Sequence, residues 1–87
     1  MYFVIVYDVS VERVNKINKF LKQYLCWVQN SVFEGELSIS QFREVEMGIK
    51  DIIDKENDSI LIFQYPSKKS VKIHIIGVEK NPEEWIL

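Results

Sequence analysis

Eighty-seven residues suffice for one domain around a single marginal core and leave no room for a second. With 47% hydrophobic and 28% charged residues the composition is that of a folded globule, and the formal charge of -2 excludes a generally basic nucleic-acid binder, so any grip on phosphate must come from a local patch. The lone Cys26 excludes an internal disulfide and the N-terminal apolar run is too short for a signal peptide or membrane span, which makes the cytoplasm the expected compartment.

In chain order, Tyr2 to Val9 is aromatic and β-branched with no polar interruption before Asp8, which reads as a strand buried on both faces. From Val11 to Leu25, Val14, Ile17, Leu21, Tyr24 and Leu25 recur at three- and four-residue intervals, which predicts an amphipathic helix capped by Ser10. Two short strands follow, at 26–29 and 31–37, with Asn30-Ser31 and Gly35 as turn or bulge positions. Ser38 and Gln41 form a capping-box pattern, and Ile39, Phe42, Val45, Ile49 and Ile52 line one face of a second, acidic helix reaching about Asp54. Asp58 to Tyr65 is a further strand, 66–70 a turn, and Val71 to Val78 its antiparallel mate. The order β-α-β-β-α-β plus one more strand predicts an α+β, ferredoxin-like fold in one domain spanning 1–87, with both helices on one face of the sheet.

The solvent face of such a sheet should be polar. Here Val4 and Val6 oppose Phe3, Ile5 and Tyr7, and Leu61, Phe63 and Tyr65 oppose Ile60 and Ile62, so both faces are apolar. Two short helices cannot cover two faces. The uncovered one is therefore expected to pack sheet to sheet against a second copy in a twofold homodimer, because leaving such side chains wet would forfeit roughly 1.5–3 kcal/mol apiece. The tail 78–87, ending in Trp85-Ile86-Leu87, fits either a strand laid on the partner's sheet edge or a segment folded back on its own subunit.

Motifs for nucleotide or zinc chemistry are missing, and Cys26 beside Trp27 reads as a buried small hydrophobe. The one histidine, His74, reads as a packed or surface residue. Asp8 stands at the carboxyl end of the first strand, where a side chain is held rigidly at the rim; its plainer role is to cap the next helix. Mg²⁺ needs only one or two carboxylates, with water and phosphate oxygens completing its shell, so two Asp8 side chains meeting across a dimer axis would hold it. Arg13, Lys16, Lys19 and Lys22 recur every third residue along the first helix, either as a solvated row or as a phosphate patch in which Arg13 and Lys16 join Lys68 and Lys69 of the hairpin turn.

The Tyr7-Asp8 strand end, Arg13 and Lys16 on a helix, the block Val28-Gln29-Asn30-Ser31-Val32-Phe33-Glu34-Gly35, Asp58-Ser59 opening a strand and Gly77 ending one together resemble the small CRISPR-associated protein that accompanies the integrase during spacer acquisition. The similarity runs the whole length of the chain. It implies a ferredoxin-like homodimer acting as a metal-dependent endonuclease on single-stranded RNA or double-stranded DNA, with Asp8 of both subunits around Mg²⁺, and also serving as the scaffold that bridges integrase subunits. By position, Tyr7, Ser31 and Phe33 match residues that shape the family's site, and Arg13 matches one of its helix cations. Trp27 stands where the family usually has arginine and Leu25 where glycine is common; loss of that arginine weighs against cleavage more than against scaffolding, and Trp27 is suited to stacking on a base. Three readings result: a nucleic-acid-binding adaptation protein with Mg²⁺-dependent phosphodiester hydrolysis, a non-catalytic adaptor bridging integrase subunits, and a small-molecule-binding regulator.

Overall fold

The computed structural model describes residues 1–67 and 70–78. Its elements follow the expected order: β1 (Tyr2–Asp8), α1 (Val11–Leu21), β2 (Cys26–Gln29), β3 (Val32–Glu36), α2 (Ile39–Ile52), β4 (Ser59–Ser67) and β5 (Ser70–Gly77). The five strands form one antiparallel sheet in the order β2-β3-β1-β4-β5, which places β1 at its centre. No helix among the described residues is long and apolar enough to cross a membrane.

Strand alternation separates the two faces. Phe3, Ile5 and Tyr7 of β1 join Phe33, Ile60, Ile62 and Ile76 in a core closed by Ile17 and Leu21 of α1 and by Phe42, Val45 and Ile49 of α2. Phe3 and Phe42 stack with ring centroids 4.5 Å apart. Burying each such side chain contributes roughly 1.5–3 kcal/mol, so this one cluster dominates the stability of a chain this short. The helices meet where α2 has no side chain: a Cβ on Gly48 would stand 2.0 Å from Cζ of Phe20. The start of α2 carries the predicted capping box, in which Ser38 Oγ accepts from the Gln41 N–H and the Gln41 side chain accepts from the Ser38 N–H.

The opposite face is apolar as well. Val6 and Val32 are buried, Val4, Leu61 and Phe63 are half-buried, and Tyr2, Tyr65 and Ile75 are exposed. Register puts them in cross-strand rows, Val32–Val6–Leu61–Ile75 and Tyr2–Tyr65, on the side of the sheet away from the helices.

Several local expectations are corrected. The first helix ends at Leu21 instead of Leu25: the N–H groups of Gln23 and Tyr24 bond three residues back, to the carbonyls of Phe20 and Leu21, and this tightened turn swings Leu25 into the core beside Gly35. Ser10 occupies the N-cap position but makes no side-chain cap bond; its N–H and hydroxyl face Asp58 instead. Cys26 is exposed, because β2 is an edge strand with all four of its residues at the surface. Of the turn expected at 66–70, residues 66 and 67 belong to β4 and Ser70 to β5: β4 runs through Pro66 by way of a register shift between Gln64 and Ser67, which relieves the ladder of proline's missing N–H, and pairing resumes at Ser67 with Ser70. His74 is half-buried as expected, its Nε2 within 2.6 Å of Gln64 Oε1 and its ring against Phe42.

Candidate metal and nucleic-acid site at the end of the central strand

Asp8 is the last residue of β1 and is exposed. Even-numbered residues of β1 point away from the helices, so Asp8 continues the outward row of Val4 and Val6 and stands at the rim of the apolar face. On one side it pairs with Ser59, the first residue of β4. On the other, the Tyr7 N–H donates to the Ser31 carbonyl at 3.0 Å, which draws the β2–β3 turn up to the same rim. That turn is sharp because Asn30 adopts φ 43°, and the indole N–H of Trp27, itself 56% exposed, donates to the Asn30 carbonyl at 2.9 Å.

The remaining site residues divide by face. Tyr7 is buried on the helix side, where its hydroxyl donates to Asn18 Oδ1 at 2.8 Å and burial pushes its phenol pKa up. Phe33 is fully buried on that side too, 6.3 Å from the Tyr7 ring. Both therefore support the strand end from beneath, whereas Ser31 borders it. Lys16 is exposed on α1. Lys68, Lys69 and the tail from residue 79 lie outside the described residues, while Val78 belongs to this subunit's own sheet end, its N–H donating to the Asp58 carbonyl at 2.8 Å.

Arg13 is engaged inside the protein. Its Nε donates to Asp58 Oδ2 at 2.5 Å, its Nη2 to Asp58 Oδ1 at 2.9 Å and its Nη1 to Glu12 Oε1 at 3.2 Å, leaving the side chain 21% exposed. Asp58 is the residue that sequence reading missed. Its fully buried carboxylate also accepts from the N–H groups of Ser10 and Asp54, each at 2.9 Å. Burial alone would raise its pKa, but the Arg13 guanidinium and the two backbone donors outweigh burial and hold it at about 2. The Ser59 hydroxyl donates to the Val78 carbonyl, so loop 8–10, the entry to β4 and the exit of β5 converge on this dipeptide. Only the position of Asp58 at the start of a β-rich run was visible in the sequence; nothing local announces a partner 45 residues away.

Among the described residues no group of three His, Cys, Asp or Glu side chains gathers to hold a metal. A single rim carboxylate is a hard oxygen donor of the kind Mg²⁺ takes; among the described residues Asp8 is one such donor per chain, and two rims meeting would supply the pair of carboxylates by which the ion is commonly held.

The geometry defines a ferredoxin-like chain with one carboxylate at the end of its central strand and an apolar sheet face beside it. Comparison with known proteins then identifies the family: residues 1–73 match the family described as CRISPR associated protein Cas2, and the chain belongs to it. The chain is 52% identical to the CRISPR-associated endoribonuclease Cas2 of Thermococcus kodakarensis and 51% identical to that of Pyrococcus furiosus, covering 100% of each pair. Among solved structures it is similar to one titled "Crystal structure of cas2" (TM-score 0.74, 53% identity, 100% of this chain and 98% of that one). It is also similar to Streptococcus pyogenes Cas2 at pH 6.5 (TM-score 0.70, 30% identity, 78% of this chain and 89% of that one). The ferredoxin-like architecture expected from the sequence is thus shown both by the chain's own sheet and by its structural relatives.

Proposed function

We propose that this chain is an endoribonuclease of CRISPR adaptation, as its relatives are named, and that it hydrolyses phosphodiester bonds as a Mg²⁺-dependent homodimer in the cytoplasm. The observation that carries this reading is the placement of Asp8 in the outward apolar row of the central strand. Packing that face on its twofold mate removes Val4, Leu61, Phe63 and Tyr65 from water and brings two Asp8 carboxylates toward one axis. When bound, Mg²⁺ supplies positive charge at the scissile phosphate and acidifies water to a usable nucleophile. Asp8 from each subunit would hold the ion, Ser31 borders the substrate path, and Tyr7 and Phe33 fix the strand from below. Lys16, Lys68 and Lys69 meet backbone phosphates, while Arg13 is committed to Asp58, and such backbone contacts favour single-stranded RNA or duplex DNA with little sequence preference.

Cleavage of short RNA and of duplex DNA, with and without Mg²⁺, tests the reading on wild type and Asp8→Ala in parallel. Wild type is expected to cut only with the ion, and Asp8→Ala to fall to the buffer control. Equal rates in the two proteins, with contaminating nuclease excluded, would remove the mechanism.

The exposed Trp27 in place of a cation supports a second role, that of adaptor bridging integrase subunits. In that role Asp8→Ala leaves spacer acquisition intact, and removal of residues 82–87 abolishes integrase binding.

A further inference from the structure

We propose that Asp58 is the positioning residue of the Asp8 site, an inference that rests on reading Asp8 as the metal carboxylate. Asp8 ends its strand at an exposed rim, and on the β3 side Tyr7, one residue earlier, donates to the Ser31 carbonyl. The dipeptide Asp58-Ser59 engages the segment that follows at two points. Ser59 pairs with Asp8 in register, while the Asp58 side chain accepts from the Ser10 N–H at 2.9 Å. Adjacent residues of one chain segment thus grip both ends of Asp8-Val9-Ser10.

The grip is itself held rigid. Arg13 engages both carboxylate oxygens of Asp58 through Nε and Nη2, which ties the first turn of α1 to the same point. The Asp54 N–H donates to Oδ2, and the Asp58 carbonyl accepts from Val78, so the ends of α2 and β5 are fixed there too. A buried carboxylate filled with donors from three directions leaves little freedom to the loop it anchors. A ligand carboxylate at a shared metal site tolerates little displacement, and residues that orient ligands are worth about 10–100-fold in metal affinity or activity.

Ser10 allows the positioning role to be separated from simple stabilisation. Its φ of -61° is already that of proline, so Ser10→Pro removes the N–H donor to Asp58 and leaves the Asp58–Arg13 pair in place. Asp58→Asn is the second variant, keeping the shape of the side chain without its charge. The intact protein is titrated with Mn²⁺ while amide broadening is followed by ¹⁵N NMR, and RNA cleavage and thermal melting are measured alongside. Both variants are expected to raise the Mn²⁺ midpoint about tenfold and to lower kcat by a similar factor, with KM unchanged and with activity recovering at high Mg²⁺. Lower melting temperatures with wild-type Mn²⁺ midpoints and kcat would make Asp58 merely structural and overturn the proposal. An Asp8→Ala protein that keeps the wild-type broadening would show instead that the metal site lies elsewhere, which overturns the underlying reading and this one with it.

Discussion

Asp58 carries a full negative charge where water does not reach, and its cost is offset by Arg13 and two backbone donors. Removing one partner of such a pair is worse than never having built it, because the other charge remains half-buried; Asp58→Ala is expected to lose about 3 kcal/mol in urea unfolding. The pH dependence has a definite sign. The folded pKa of about 2 lies below the ordinary 3.8, so the contribution of this group is fully present above pH 3.8 and fades as pH falls toward 2. The gap corresponds to roughly 2 kcal/mol, read as the difference between wild-type and Asp58→Asn stabilities across that window. A difference that stays constant from pH 6 to pH 2 would contradict the assignment. Asp8 presents the opposite case: the sequence showed where it stands, at the end of a buried strand, but its neighbours there, Ser59 in register and Ser31 at the same rim, are arranged only by folding.

The elements were legible wherever one physical signal dominated. The capping box of α2 and its apolar stripe are local and survived intact, as did the alternation that separates Ile60 and Ile62 from Leu61 and Phe63. Where tertiary context decides, periodicity misled. Tyr24 and Leu25 keep helical spacing with Leu21, yet the chain turns at Lys22 because Leu25 packs beside Gly35. The same holds for Cys26, whose apolar character said nothing about its place on an edge strand. Two glycines mark close approaches that can be tested. At Gly77, φ is 98° and a Cβ would lie 2.0 Å from the Asp58 carbonyl oxygen, which is backbone and cannot move aside, so Gly77→Ala should cost more than about 2 kcal/mol and loosen the Asp58 cluster. At Gly48 the obstacle is the half-buried Phe20 ring, which can rotate outward, and the substitution gains about 1 kcal/mol of helix propensity, so the net loss should be about 1 kcal/mol. Thermal or urea unfolding of the two variants side by side checks the order: Gly77→Ala the more severe.

Among the described residues of the whole molecule, the sheet has two apolar faces and one layer of helices, and the catalytic reading follows from what covers the second face. Phe63 lies near the middle of that face, flanked in register by Val4. Phe63→Glu places a charge in the proposed seam while leaving the helix-side core untouched, so it should convert a dimer to a folded monomer in sedimentation velocity and abolish Mg²⁺-dependent cleavage together. A dimeric Phe63→Glu protein would place the seam elsewhere. Whether two Asp8 carboxylates share one ion is read from the stoichiometry of Mn²⁺ binding in calorimetry. One ion for every two chains is expected, lost in Asp8→Asn; one ion per chain, or binding unchanged by that substitution, would rule out a shared site.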